Sequence, residues 1–277
     1  MRKISTLMVS VLCMMMPVGA EAQVPTAFVS KGATDIQAQP HTITQTNSGA
    51  QWAPIDPMVR SITMDDGLPS NAVRSVVQGS KGYMWFGTDN GLSRFDGYDV
   101  KTYYNPFTTV DQFVSALTAC EEGLLVGCNN GAYLFCNATD RFQKLSDKIT
   151  APVLNFSLDG DQNIWISTNG QGVFRFNRTT HELHQYPMKN IQGKVQSTLV
   201  DANNQVWMLC NHGGASIYHL NKSTDQFEAF PLKGDATMFY GMAMLAAPDG
   251  NLYVGTWENG LYKLNADGSA EQLISGT

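Results

Sequence analysis

Five times along this 277-residue chain an aromatic or apolar run enters a glycine-bearing turn and returns on a second apolar run, and the lead residues stand 40, 40, 42 and 46 apart. The first copy is Trp85-Phe86-Gly87-Thr88-Asp89-Asn90-Gly91, closing on Phe95, and the second is Leu125-Val126-Gly127-Cys128-Asn129-Asn130-Gly131, closing on Phe135. The third runs Trp165-Ile166-Ser167-Thr168-Asn169-Gly170-Gln171-Gly172 to Phe176. A degenerate fourth, Trp207-Met208-Leu209-Cys210-Asn211-His212-Gly213-Gly214, ends on Tyr218; the fifth, Tyr253-Val254-Gly255-Thr256-Trp257-Glu258-Asn259-Gly260, ends near Leu264. A period of this length is one four-stranded sheet with its turns, repeated.

Each copy sits inside a larger unit. An inner strand precedes it (73–77, 116–119, 153–157, 195–200 and 241–246), followed by a Gly, Asn, Asp or Glu turn. The copy itself is a hairpin, with Asn90-Gly91 expected to supply positive φ in the first. A third turn and a more polar last strand such as 142–145 or 227–230 complete the unit. Four antiparallel strands per unit, stacked radially with one bulky side chain at each interface, make an all-β fold, a β-propeller. About five blades are expected, near 73–105, 114–146, 153–187, 195–231 and 240–275. No long helical pattern competes, and 43% hydrophobic with 15% charged residues suits a globular domain.

The propeller is expected over 57–277, with 58–64 as a strand that closes the ring. Residues 1–22 have the grammar of a secretory signal: Arg2 and Lys3, an apolar core from Leu7 to Val18, then Ala20-Glu21-Ala22 before Gln23. That core is too short for a membrane span, so a periplasmic protein without a span is expected. Residues 23–56, rich in Gln, Thr, Ala and Pro, read as a flexible leader. After removal of the signal the formal charge is −7, and clustered Lys and Arg are absent, which argues against nucleic acid as a partner. Four cysteines remain. Cys128 and Cys210 occupy the slot of Thr88, Thr168 and Thr256, and Cys120 and Cys136 fall two strands apart, so all four are expected as thiols.

The run from Ile62 to Val73 (Ile-Thr-Met-Asp-Asp-Gly-Leu-Pro-Ser-Asn-Ala-Val), followed by Gly82-Tyr83-Met84-Trp85-Phe86-Gly87-Thr88-Asp89-Asn90-Gly91-Leu92-Ser93-Arg94-Phe95-Asp96-Gly97, resembles the two-component regulator propeller. This is the periplasmic sensor region of hybrid two-component systems in Bacteroidetes. The resemblance extends over about 57–277 and is strongest in the first unit. It implies seven-bladed propellers, often paired, followed by a Y-shaped immunoglobulin-like domain, a membrane helix, a histidine kinase, a receiver and a DNA-binding regulator. Those later parts have no counterpart in these residues. Five blades would leave an incomplete seven-bladed ring, with three readings open: a truncated or split sensor, a domain completed by a second propeller chain or homodimer, and a closed small propeller.

No catalytic constellation stands out. The histidines of His181-Glu182-Leu183-His184 are three apart in a strand context, unlike the zinc-protease helix motif, and no Gly-x-Ser-x-Gly elbow occurs. The chain is therefore expected to be non-enzymatic, with no metal and no cofactor. In a propeller the loops between second and third strands gather with the blade-to-blade connections at one mouth of the channel. Here those loops carry Asp89, Asn129, Asn169, Gln171, Asn211, His212, Trp257 and Glu258. Amides, carboxylates and one Trp suit the hydroxyls and ring C–H face of an oligosaccharide. A carbohydrate-sensing input region is the reading this supports, with a stand-alone protein-interaction module as the alternative.

Overall fold

The computed structural model describes residues 61–104, 112–187, 194–211, 217–233, 241–247, 250–257, 259–265 and 267–275. The expected signal 1–22, the leader 23–56 and residues 58–60 of the expected ring-closing strand lie outside them. From Ile62 onward the described chain falls in one compact unit.

Among the described residues, twenty strands form five four-stranded antiparallel sheets, each in sequence order. Blade 1 is β1 (Val73–Gln78), β2 (Met84–Thr88), β3 (Gly91–Phe95) and β4 (Val100–Tyr103). Blade 2 is β5 (Val114–Ala119), β6 (Gly123–Cys128), β7 (Gly131–Cys136) and β8 (Arg141–Lys144). Blade 3 is β9 (Val153–Leu158), β10 (Asn163–Thr168), β11 (Gly172–Asn177) and β12 (Leu183–Tyr186). Blade 4 is β13 (Lys194–Val200), β14 (Val206–Asn211), β15 (Ile217–Asn221) and β16 (Gln226–Ala229). Blade 5 is β17 (Gly241–Ala246), β18 (Leu252–Thr256), β19 (Leu261–Leu264) and β20 (Ala270–Ile274). The repeats thus become propeller blades, as their period requires.

Three details depart from expectation. Residues 61–63 form no strand, and Met64–Asp66 is a 3-10 turn. Thr63 explains it: its hydroxyl accepts from the Asp65 amide at 3.3 Å while the Asp66 carboxylate accepts from the Thr63 amide at 2.8 Å, a reciprocal cap that ends extended backbone. Ile62 and Leu68, each 4% exposed, then cover the Phe86 and Phe95 face of blade 1. In the first hairpin Thr88 pairs directly with Gly91, so Asp89 and Asn90 alone make the loop and positive φ falls on Gly91, not Asn90. His181 lies not in a strand but in the turn before β12, at φ +60°.

The buried apolar side chains divide into clusters at the seams between blades. Trp85, Leu125 and Trp165 are wedged there, 2%, 0% and 1% exposed. An aspartate fastens the Trp165 wedge to the turn before it. Asp159 Oδ2 accepts from Trp165 Nε1 at 2.8 Å while its Oδ1 accepts from the amides of Asp161 and Asn163, both at 2.9 Å. Asp201 repeats the arrangement with Trp207 Nε1 at 2.9 Å.

Alternate seams share a polar clamp. In blade 3, Trp165 pairs across the ladder with Arg175, which lies over the Trp165 and Tyr186 rings and forms a fork to Asp225 of blade 4 at 2.8 and 3.0 Å. Tyr186 Oη donates to the same carboxylate at 2.7 Å. In blade 1, Arg94 pairs with Trp85, and Tyr103 Oη donates to Asp140 of blade 2 at 3.1 Å. Asp140 and Asp225 both hold positive φ. In blade 2 the corresponding positions carry Leu125 and Leu134, and in blade 4 Trp207 and His219. Among the described residues, the large hydrophobic side chains that stay exposed belong to the first and fifth blades and their adjoining turns: Met64, Val76, Tyr98 and Tyr104 in one, Leu245, Trp257, Leu273 and Ile274 in the other.

No disulfide joins Cys120, Cys128, Cys136 and Cys210. In the slot shared with two of them, Thr88, Thr168 and Thr256 each donate a hydroxyl across the hairpin, to the carbonyls of Gly91, Gly172 and Gly260 at 2.9, 2.6 and 2.8 Å. Cys210 has no exposure, and burial pushes its thiol up to about 12. An unfolded thiol ionises near pH ~8.5, so the protonated buried thiol stabilises the fold in full below that value and less as pH rises toward 12. Urea midpoints of the wild type are expected to fall between pH 9 and 12, with this thiol contributing at most about 1.4 kcal/mol per pH unit. Cys210→Thr should fall less steeply, and equal slopes in the two proteins would refute the assignment.

Candidate ligand-binding mouth

The turns between second and third strands share one end of the array with the segments that lead into each blade. Backbone bonds tie the two sets together, Asp89 N to Ala72 O at 3.2 Å and Asn169 N to Pro152 O at 2.8 Å. At this same end every inner strand carries one residue too many for its ladder. The extra residues are Arg74, Ser115, Leu154, Gln196 and Met242, one per blade. A bulge of this kind re-aims a side chain and ends regular pairing, which is why bulges recur beside binding sites.

Two bulge residues contact the expected mouth residues. Arg74 forms a fork to Asp89 at 2.6 and 2.9 Å, with its guanidinium 5.5 Å from the Phe113 ring. The Asp89 hydrogen bonds hold the Arg74 pKa above its usual value. Gln196 Oε1 accepts from Asn211 Nδ2 at 2.8 Å, while Asn211 Oδ1 is buried with no partner in the chain. Ser75 Oγ and Asn130 Oδ1 are likewise buried and unpaired, so three of the five such atoms in the described structure lie at this end. Buried polar atoms without partners are rare because desolvation costs about 1–3 kcal/mol each.

The eight expected residues fare differently. Trp257 is 50% exposed, so its indole face is available. Asn169 is exposed and Asn129 half-buried. Asp89 and Asn211 are at the mouth but already engaged with Arg74 and Gln196. Gln171 is a structural clasp: Oε1 accepts from the amides of Thr150 and Ala151 at 2.9 and 2.8 Å, and Nε2 donates to Lys148 O at 3.1 Å, which fastens the segment entering blade 3. His212 and Glu258 lie outside the described residues. Sequence reasoning missed Arg74, Gln196 and Phe113; the first two stand at bulges, which only the pairing with the neighbouring strand reveals. Among the described residues no group of three His, Cys, Asp or Glu side chains could hold a metal ion, and no helix is long and apolar enough to cross a membrane.

The Two component regulator propeller family model matches residues 67–90, from the turn after Met64–Asp66 through the first hairpin loop. No curated protein matches the chain. Among solved structures, the extracellular domain of the hybrid two component system BT4673 from B. thetaiotaomicron superposes with a TM-score of 0.63 at 19% identity, covering 74% of this chain and 28% of that one. The corresponding domain of BT3049 from the same organism gives 0.63 at 18% identity, over 78% and 32%. Virginiamycin B lyase from Staphylococcus aureus gives 0.60 at 16% identity, over 74% and 71%. At these identities the likeness is one of fold, and the chain spans under a third of the length of the two-component structures. In its blades and in its 67–90 repeat, the chain resembles the two-component regulator propeller, the sensor region of hybrid two-component systems.

Proposed function

We propose that the chain is a non-catalytic, exported ligand-binding propeller, the input region of a sensor, which takes an oligosaccharide at the mouth formed by the second turns and the bulged inner strands. The observation that carries the reading is the presence, at one end of the array, of an exposed indole at Trp257 and of buried amide oxygens without partners at Asn130 and Asn211. An indole face accepts the C–H side of a sugar ring, and amides supply the donors and acceptors that hydroxyls require. The family match and the two-component structures support a sensing role; the lyase likeness shows that the same blades also serve catalysis elsewhere, so fold alone does not decide. Export rests on residues 1–22. Further blades, a second propeller chain or a homodimer that completes the ring belong to the same proposal.

A thermal-shift screen against an oligosaccharide panel tests it. At a hundredfold excess over Kd, a true ligand stabilises the fold by about 2.7 kcal/mol. A rise in melting temperature with particular oligosaccharides, abolished in Trp257→Ala, is the expected result. A shift that survives this substitution, or a panel that moves nothing, would overturn the proposal.

A further inference from the structure

The inner strands pack in series, β1 on β5, β5 on β9, β9 on β13 and β13 on β17, and among the described residues β17 has no comparable contact with β1. Blade 1 and blade 5 therefore each keep one face that no described blade covers. Residue for residue, these faces are the two halves of a seam.

Every blade offers its successor the inner-strand residue that lies across from the wedge. At three seams that residue, Val77, Ser157 or Leu199, meets the one just before the corresponding place in the next inner strand, namely Leu117, Thr198 or Met244. Ser157 Oγ donates to Thr198 O at 2.7 Å, and each of the other pairs packs on one apolar cluster. In blade 5 the offering residue is Leu245, across from Tyr253; in blade 1 the receiving one is Val76, across from Phe86. Both are exposed, at 39% and 38%.

The valine that opens an inner strand obeys the same rule. A Cβ on Gly87 would stand 2.7 Å from Val114 Cγ1, and one on Gly127 2.7 Å from Val153 Cγ1, because each valine sits over the glycine of the blade before it. Over Gly255 the nearest atoms are those of Ala243 in its own blade, at 3.9 and 4.0 Å, while Val73 opens blade 1 with no described blade before it. Charge agrees. Lys101 reaches Asp140 and Arg175 reaches Asp225, each aspartate being the residue before the fourth strand of the following blade. Lys263 stands at the place of Arg175, with Glu271 across the ladder but in no ion pair with it, and the residue before the fourth strand of blade 1 is the exposed Asp99.

We propose that blade 5 of one copy of this chain takes blade 1 of a second copy, head to tail, as a further seam: Leu245 against Val76, Val73 over Gly255 and Lys263 toward Asp99. This rests on the reading of the chain as an incomplete propeller and names the partner that covers its faces. The two faces differ, so the contact is heterologous, and each added copy presents a fresh face of either kind. Burial of the exposed leucine and valine drives it, and the ion pair fixes its direction.

Sedimentation velocity on the purified chain, with no sugar present, tests it. The average mass is expected to rise with protein concentration through the micromolar range. Val76→Glu and Leu245→Glu should each stay monomeric, with melting temperatures unchanged because both positions face water in the single chain. Mixed in equal amounts, they should form a dimer and stop there, since the first keeps its blade 5 face and the second its blade 1 face. Gly255→Ala should weaken association about tenfold or more, while the dilute chain melts as the wild type does. A monomeric wild type, a single variant that associates undiminished, or a mixture that yields no dimer would overturn the proposal. Such a failure leaves the oligosaccharide reading standing, because the shift abolished by Trp257→Ala is measured separately.

Discussion

Trp165→Ala is expected to lower the unfolding free energy by about 3–5 kcal/mol, a large share of what holds a domain of ordinary stability together. Trp165 is 1% exposed at the seam between blades 3 and 4, with Tyr186 and Phe227 rings 5.5 and 6.0 Å away and the Arg175 guanidinium at 5.7 Å. Truncation removes the ring and leaves a cavity walled by two sheets that cannot close on it. It also strips Asp159 of the indole N–H it accepts at 2.8 Å, loosening the turn that precedes the strand. Equilibrium urea unfolding measures the loss, and a midpoint unmoved by the substitution would refute the wedge.

The second large effect concerns a side chain that is absent. A Cβ added at Gly127 would stand 2.7 and 2.9 Å from Val153 Cγ1 and Cβ of the next blade, and 3.1 Å from Ala116 Cβ. Val153 is fully buried and has nowhere to retreat. Gly127→Ala should therefore destabilise by about 2 kcal/mol through overpacking. Gly255 occupies the same place in the fifth repeat, yet its Cβ would meet nothing nearer than Ala243, at 3.9 Å. Gly255→Ala should be neutral or slightly stabilising, since alanine restricts the unfolded chain and clashes with nothing. The opposite outcomes at matched positions can be compared by thermal melts of the two variants, and a similar loss in both would show that strand propensity rather than seam packing governs the slot.

The blades were legible because their determinants are local and repeated. A Trp, Leu or Tyr some forty residues from its copy and a Gly where two strands reverse imprint one sheet at a time. Local pattern misled at Met64, where alternation of apolar residues suggested a strand. The reciprocal Thr63–Asp66 cap, invisible to alternation, bent the chain instead. The proposed mouth could be drawn from turn residues, but polar character in a turn does not say whether an amide is available. Gln171 proved to be bound by the segment entering its own blade, which depends on a neighbour twenty residues earlier. The bulges at Arg74 and Gln196 escaped because an extra residue is a property of pairing between strands, and a single strand read alone has no register to violate.

The clamp at alternate seams means that the chain keeps two rhythms at once, the backbone repeating every blade and the side chains every second one. Blades 1, 3 and 5 carry an aromatic with a cation directly across the ladder, as Trp85 with Arg94, Trp165 with Arg175 and Tyr253 with Lys263, whereas Leu125 meets Leu134 and Trp207 meets His219 in blades 2 and 4. Neighbouring blades are consequently not interchangeable parts, although each has the same shape. Moving blade 3 by one place would part the Arg175 guanidinium from the Asp225 carboxylate that receives it, so that seam recognises its own neighbour rather than any blade of the same shape.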